Sequence, residues 1–191
     1  MKRKSKHIKV LPNFWPKKFR SKIPEDMKNW IYDQYYNQQT LIVYCDASIK
    51  HDQSVIGIAC SFVANGSVMV KQKYITSPSV YEVVPPIYAE MKSLMFGLDF
   101  FNDYVNQCNE VIIYSDVNHI ERILANGKVF NKHSLLQTVR DELITLYNQK
   151  CNTSDVNLSI KYLPKNKKKF NPFYKSAHNA ANKMARNTIS R

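Results

Sequence analysis

Three acidic residues stand where the sequence predicts burial, and a buried carboxylate is costly unless something pairs with it. Asp46 ends the apolar run of residues 41–45, and Asp116 ends a second apolar run at residues 111–115. Glu90 borders the apolar stripe of a segment with helical periodicity. A shared cation would account for all three carboxylates, because hard divalent ions prefer oxygen ligands. These residues therefore favour metal-assisted chemistry.

The elements around these acids predict a layered domain. Apolar runs and alternation predict strands at about residues 40–47, 55–63, 68–75, 111–115 and 156–163. Asn65-Gly66 indicates a hairpin turn, so the first three strands should form an antiparallel meander. Helical apolar spacing predicts helices at about residues 24–38, 87–104, 117–126, 132–149 and 173–187, with a loop at 165–169. The order β-β-β-α-β-α-α-β-α predicts an α/β fold.

The net charge of +13 is concentrated at the two ends of the chain. Residues 1–22 and residues 161–191 each carry nine Lys or Arg and no acid, which leaves ten basic residues against all fifteen acids between them. An acidic centre fits cation binding, and basic ends fit a polyanion such as nucleic acid. Solubilising tails are the alternative, and membrane headgroups also attract lysine-rich segments.

The composition argues against several other classes of protein. The four cysteines form no C-x-x-C pair, which disfavours a structural zinc site. No apolar stretch of signal-peptide length follows the basic start, and no segment approaches the roughly 20 apolar residues that span a bilayer. We therefore expect a cytoplasmic protein with no membrane partner. We also expect a monomer.

The charge and element patterns divide the chain at residue 39. Residues 1–39 predict a basic, aromatic N-terminal arm with one short helix, and residues 40–191 predict the α/β domain. Phe14, Trp15 and Phe19 alternate with the basic residues of the arm. Docking of these rings onto the domain is one interpretation, and stacking on nucleic-acid bases is the other.

Four short motifs fall in a fixed order between about residues 40 and 188. They are D-A-S at 46–48, A-E-M-K-S-L at 89–94, Y-S-D at 114–116 and A-A-N-K-M-A-R at 180–186. In this order, with these predicted elements, the chain resembles the ribonuclease H family. The resemblance implies a mixed five-stranded sheet, three antiparallel strands and then parallel strands, flanked by helices.

The resemblance also implies a reaction and a cofactor. Members of the family hydrolyse the RNA strand of an RNA/DNA hybrid with two divalent ions, Mg²⁺ or Mn²⁺. Two such ions about 4 Å apart supply an activated water and stabilise the leaving oxygen. On this interpretation Asp46 bridges both ions, and Glu90 and Asp116 complete the site. For Asp116, capping of the helix predicted at 117–126 is an alternative role.

The last motif departs from the family pattern, which is N-x-x-A-D. The aligned stretch runs from His178 to Asn182, so Asn182 replaces the expected Asp and His178 the expected Asn. Asn keeps a carbonyl ligand but removes a negative charge, so one ion should bind more weakly. His178 lies one turn earlier on the same helix face, where it is a candidate ligand or proton shuttle. Polar helix surface is the alternative for both.

Six further residues are candidate contacts to a nucleic-acid substrate. They are Ser48, Lys165, Lys167, Lys168, Lys169 and Lys175. A turn hydroxyl and a solvated lysine loop are the alternative interpretations. The leading hypothesis is a metal-dependent endonuclease acting on RNA/DNA hybrids or another duplex. The second hypothesis is an inactive or weakly active nucleic-acid-binding protein on the same fold, and a weaker third is a domain that binds an acidic protein.

Overall fold

A five-stranded mixed sheet forms the centre of the molecule. The computed structural model describes residues 12–50, 52, 54–78, 84–125, 127, 130 and 133–187. The strands are β1 (Thr40–Ile49), β2 (Val55–Ala64), β3 (Ser67–Thr76), β4 (Glu110–Ser115) and β5 (Asn157–Tyr162). Their order across the sheet is β3-β2-β1-β4-β5. The pairs β1–β2 and β2–β3 are antiparallel, whereas β1–β4 and β4–β5 are parallel. The predicted mixed sheet is confirmed.

Helices cover both faces of this sheet. They are α1 (Glu25–Tyr36), α2 (Pro86–Phe100), α3 (Ile120–Leu124), α4 (Ser134–Thr153), α5 (Lys165–Lys168) and α6 (Pro172–Asn187). Side chains alternate between the two faces along a strand. Leu41, Val43 and Cys45 of β1 accordingly join the core under α2 and α4, and Ile42 and Tyr44 join the core under α1 and α6.

The β2–β3 hairpin is tied to the end of α1. Asn65 and Gly66 both have positive φ, 47° and 73°, as the predicted tight hairpin turn requires. Their amides donate to the carbonyls of Asn37 and Tyr35 at 2.8 and 2.6 Å. Carbonyls in the last turn of a helix have no partner within the helix. The turn therefore satisfies the end of α1 and holds that helix against the sheet.

Residues 12–23 also pack onto the α1–α6 face of the sheet. Trp15 is buried and donates from Nε1 to the carbonyl of Phe170 at 2.7 Å. The Phe14 ring contacts the Phe173 ring edge-on, with 5.1 Å between their centroids. Between the buried Trp15 and Ile23, residues Lys17–Lys22 form a 3₁₀ turn. Of Phe14, Trp15 and Phe19, the first two pack in this way, and Phe19 is 43% exposed.

Helix α6 lies directly against β2. A Cβ added to Gly57 would come within 2.1 Å of the Ala181 carbonyl oxygen and 2.6 Å of the Ala185 amide nitrogen. The helix atoms nearest to that Cβ belong to Ala181 and Ala185, which are both buried and lie one turn apart. Asn171 caps α6, accepting from the amides of Phe173 and Tyr174 at 2.9 and 3.0 Å. These contacts fix the helix relative to the strands that carry the acids.

Two predicted elements differ from the structure. The helix expected at 117–126 is the shorter α3, which begins at Ile120. Asp116 therefore does not cap it, and the Ser115 hydroxyl accepts from the Val117 amide instead, at 3.1 Å. The loop expected at 165–169 contains the four-residue helix α5. Its Lys-Asn-Lys-Lys sequence has no apolar periodicity, so a pattern search could not find it.

Candidate active site

Asp46 and Asp116 lie on neighbouring parallel strands. Tyr44 pairs with Tyr114 in the β1–β4 register, so Asp46 and Asp116 are each two residues beyond that pair. Strand β4 ends at Ser115, whereas β1 continues past Asp46 by pairing with β2. Two residues at the same level of adjacent parallel strands lie side by side. The sheet itself thus brings these two carboxylates together.

Glu90 comes from the first turns of α2. It follows Ile87 by three residues and lies on the side of the helix that faces β1 and β4, as this helical spacing predicts. Ligand atoms of Asp46, Glu90 and Asp116 all lie within 4.8 Å of one another. Oε2 of Glu90 is buried and has no hydrogen-bonding partner among the described residues. The donor set, oxygen only and anionic, fits a hard divalent ion.

The electrostatics of this cluster are those of crowded, buried acids. Burial raises the pKa of Glu90 well above its usual value, and the carboxylates of Asp46 and Asp116 raise it further. Burial also raises the pKa of Asp46, although His178 and Tyr174 oppose the effect. Like charges at this spacing disfavour simultaneous ionisation. A positive charge bound between them would remove that penalty.

Tyr174 and Lys168 contact the acids from the segment around α5 and α6. The Tyr174 hydroxyl lies 3.0 Å from Oδ1 of Asp46 and 3.1 Å from Oδ2 of Asp116, so the two carboxylates share its proton. Burial and both carboxylates raise the pKa of Tyr174, which keeps it protonated. The Lys168 ammonium lies 2.6 Å from Oδ1 of Asp116. Lys168 is therefore an ion-pair partner of the acids as well as part of the basic segment.

A hydrogen-bonded chain links the last motif to Asp46. The Ser48 hydroxyl donates to Oδ1 of Asn182 at 2.8 Å, and Nδ2 of Asn182 lies 3.0 Å from Nε2 of His178. An amide nitrogen only donates, so Nε2 is the acceptor and the ring proton is on Nδ1. Nδ1 lies 3.0 Å from Oδ2 of Asp46. The tautomer thus follows from the chain of partners, and Asn182 reaches Asp46 only through His178.

The remaining candidate contacts lie on β1, on α5 and the turn that follows it, and on α6. Lys165, Lys169 and Lys175 are exposed, and Lys167 is half-buried with its ammonium 4.9 Å from the centre of the Trp30 ring. Ser48 is bound to Asn182 rather than directed at open solvent. Among the described residues, no helix is long and apolar enough to cross a membrane.

No family model matches the chain, and no curated protein matches it significantly. Solved structures do match. A ribonuclease H1 isolated from compost by a metagenomic approach, LC11, is 18% identical with a TM-score of 0.59, over 80% of this chain and 100% of that one. The fold is that of ribonuclease H.

Two further structures carry the same ribonuclease H fold. LC11 ribonuclease H1 in complex with an RNA/DNA hybrid is 16% identical with a TM-score of 0.58, over 78% of this chain and 99% of that chain. The N-terminal ribonuclease H domain of Rv2228c from Mycobacterium tuberculosis, solved as a fusion with maltose-binding protein, is 13% identical with a TM-score of 0.53, over 78% and 94%. At these identities the likeness concerns the fold.

Tyr174 is the site residue that the sequence analysis missed. Its signal is present in retrospect, because Tyr174, His178 and Asn182 recur every four residues along α6. Residues at this spacing share one face of a helix. The contact between Lys168 and Asp116 had no such signal, since it depends on the short helix α5.

Proposed function

We propose that this protein is a metal-dependent endonuclease that hydrolyses the RNA strand of RNA/DNA hybrids. The main support is that carboxylate oxygens of Asp46, Glu90 and Asp116 lie within 4.8 Å of one another on a ribonuclease H fold. RNA/DNA hybrid is the proposed substrate because LC11 ribonuclease H1, which shares the fold, has been solved with one. The proposed cofactor is a pair of Mg²⁺ or Mn²⁺ ions.

The three carboxylates of Asp46, Glu90 and Asp116 would hold the ions. Divalent ions bound there would lower the pKa of a water and stabilise charge on the leaving oxygen. Tyr174 orients the carboxylates of Asp46 and Asp116 through its shared proton. His178 holds a proton at Nδ1 beside Asp46, and Ser48 and Asn182 orient its ring. Lys165, Lys167, Lys169 and Lys175 would bind substrate phosphates.

Cleavage of a labelled RNA/DNA hybrid tests the proposal. The protein is incubated with hybrid in Mg²⁺ and separately in Mn²⁺, beside single-stranded RNA, duplex DNA and duplex RNA. We expect hybrid-specific cutting in the wild type and its loss in Asp46→Asn, with hybrid binding retained. Asp155→Asn removes an exposed acid that precedes β5, and it should cut like the wild type. Full cutting by Asp46→Asn would contradict the mechanism.

A non-catalytic nucleic-acid-binding protein is the second candidate. It is favoured by the amide at position 182 and by the ammonium of Lys168, which already contacts Asp116. Such a protein would bind hybrid with steep salt dependence, because phosphate contacts release counterions. Tight binding with no cutting in either metal would select this candidate.

A further inference from the structure

The 3₁₀ turn Lys17–Lys22, here called the basic turn, is held in place at both ends. Trp15 before it and Ile23 after it are buried, whereas all six residues of the turn are exposed. The Phe19 amide donates to the Pro16 carbonyl at 2.9 Å, and Nε of Arg20 donates to the Asn13 side chain at 3.0 Å. The backbone of the turn is therefore fixed by its buried flanks and hydrogen bonds, and its six side chains point away from the core.

The charges of the basic turn have no acidic partner among the residues that the structure describes. It carries Lys17, Lys18, Arg20 and Lys22 and no acid. None of the four forms a salt bridge with a described residue, whereas Lys28, Lys50, Lys71 and Lys92 each pair with a carboxylate. Unpaired cations grouped on one surface attract a polyanion. The ligand of this surface should therefore carry several negative charges.

Phe19 adds an aromatic ring to these cations. Its side chain is 43% exposed, and the Lys18 ammonium lies 5.0 Å from the ring centre. Phe14, by contrast, packs against Phe173, and Trp15 is buried and donates to the Phe170 carbonyl. Exposed aromatics among cations bind single-stranded nucleic acids, because any unpaired base can stack on the ring while the cations hold the backbone. A base within a duplex is already stacked and offers no free face.

The segment that leads into the basic turn is hydrogen-bonded to the segment around α5 and α6 that contacts the acids. The hydrogen bond from Trp15 to the Phe170 carbonyl joins the two segments. Lys17 lies two residues from Trp15, at most about 7 Å along the chain. Lys169 precedes Phe170, and the neighbouring Lys168 contacts Asp116. Two contacts, Trp15 with Phe170 and Lys168 with Asp116, therefore link the basic turn to the acidic site through a segment that carries lysines.

We propose that the basic turn is a binding site for a single-stranded extension of the nucleic acid held at the acidic site. Phe19 stacks on an unpaired base, and Lys17, Lys18 and Arg20 bind the adjoining phosphates. The preferred ligand is thus a hybrid with an unpaired flank and not a blunt hybrid. This inference rests on the proposed function only in taking nucleic acid as the ligand, and it does not require cleavage.

Binding measured without cleavage tests this site. Fluorescence anisotropy in EDTA measures the affinity for a blunt RNA/DNA hybrid and for four extended hybrids. Each extended hybrid carries a ten-nucleotide extension at one of the four strand ends. We expect at least one extension to tighten binding by about fivefold or more, the effect of roughly one stacked base. Phe19→Ala should abolish that ratio, and Phe19→Trp should restore it. Tyr74→Ala removes an aromatic residue that is 52% exposed on β3 and should leave the ratio unchanged.

The charges are tested by the salt dependence of the same ratio. In the double variant Lys17→Gln/Lys18→Gln, the affinity for the extended hybrid should depend less on salt concentration than in the wild type. The double variant Lys150→Gln/Lys161→Gln removes the same charge elsewhere and should keep the salt dependence of the wild type. Equal affinity for blunt and extended hybrids in the wild type overturns the inference. So does a ratio that survives Phe19→Ala. Either result is independent of whether the hybrid is cut in Mg²⁺, so failure here and failure of the proposed nuclease activity remain distinguishable.

Discussion

The Lys168 ammonium lies 2.6 Å from Oδ1 of Asp116 and supplies positive charge within a cluster of three acids. A charge in this position stabilises the carboxylates when no metal is bound. It also reduces the negative charge that a divalent ion would meet. Metal binding and the Lys168 contact should therefore oppose each other.

Replacement of Lys168 should separate these two effects. We expect Lys168→Met to lower the melting temperature of the metal-free protein, because three crowded carboxylates lose a counter-charge. The same variant should bind Mg²⁺ more tightly, by about tenfold if the lost ion pair was worth about 1.4 kcal/mol. Calorimetric titration and thermal melting measure the two quantities. Lys165→Met, an exposed lysine on the same helix, is the matched control. Unchanged Mg²⁺ affinity would show that Lys168 does not compete with the ion.

The chain from Ser48 to Asp46 predicts how the last motif responds to substitution. Asn182→Asp alone replaces the donor to Nε2 of His178 by an acceptor, which disrupts the chain. His178→Asn/Asn182→Asp removes that conflict and restores the residues of the N-x-x-A-D pattern. We therefore expect the double variant to cut hybrid faster in Mg²⁺ than either single variant. Initial cleavage rates at several Mg²⁺ concentrations measure this. A single Asn182→Asp variant that cuts faster than the double would contradict the role given to His178.

The raised pKa values predict a pH dependence of stability. The pKa of Glu90 in the folded protein is raised well above its usual 4.5, and that of Asp46 is raised from 3.8. A carboxyl group of this kind stabilises the fold fully below its unfolded pKa, and the contribution is lost as the pH rises through the folded pKa. Without metal, the wild type should therefore lose stability relative to Glu90→Gln as the pH is raised from 4.5, the usual pKa of a glutamate.

Thermal melting of the two proteins across this range tests the prediction. Saturating Mg²⁺ should reduce the difference, because bound cations stabilise the ionised acids. Glu121→Gln removes an exposed glutamate and serves as the control. If the difference in melting temperature between the wild type and Glu90→Gln is the same at every pH, then ionisation of Glu90 does not destabilise the fold.

A substitution at Trp15 tests whether the predicted arm is separable from the domain that is predicted to begin at residue 40. Trp15 is 8% exposed and donates to Phe170, so Trp15→Ala removes buried ring area and a hydrogen bond. We expect a loss of about 3–5 kcal/mol in the free energy of unfolding. Phe19→Ala, at an exposed position four residues away, should change it by less than about 0.5 kcal/mol. Urea denaturation measures both. A loss below about 1 kcal/mol for Trp15→Ala would show that the arm contributes little to the fold.

The parts that sequence predicted well are those with a regular period. The five strands and the long helices α2, α4 and α6 carry alternation or helical spacing, and the structure confirms them. Asp46 and Asp116 end apolar runs on strands, so their proximity followed from the parallel pairing of β1 and β4. Tyr174 shares its helical spacing with His178 and Asn182 and could have been found from it. The contact of Lys168 with Asp116 and the exposure of Phe19 depend on how short segments dock, and docking leaves no period in the sequence.

The contact between Gly57 and α6 sets what kinds of sequence can adopt this structure. The helix touches the strand backbone, so any side chain at position 57 would push α6, and with it Tyr174 and His178, away from β1. The requirement is for absent atoms: glycine on β2, and alanine at two positions one turn apart on the helix. A chain that kept the carboxylates but carried a larger residue at position 57 would therefore have to place this helix farther from β2.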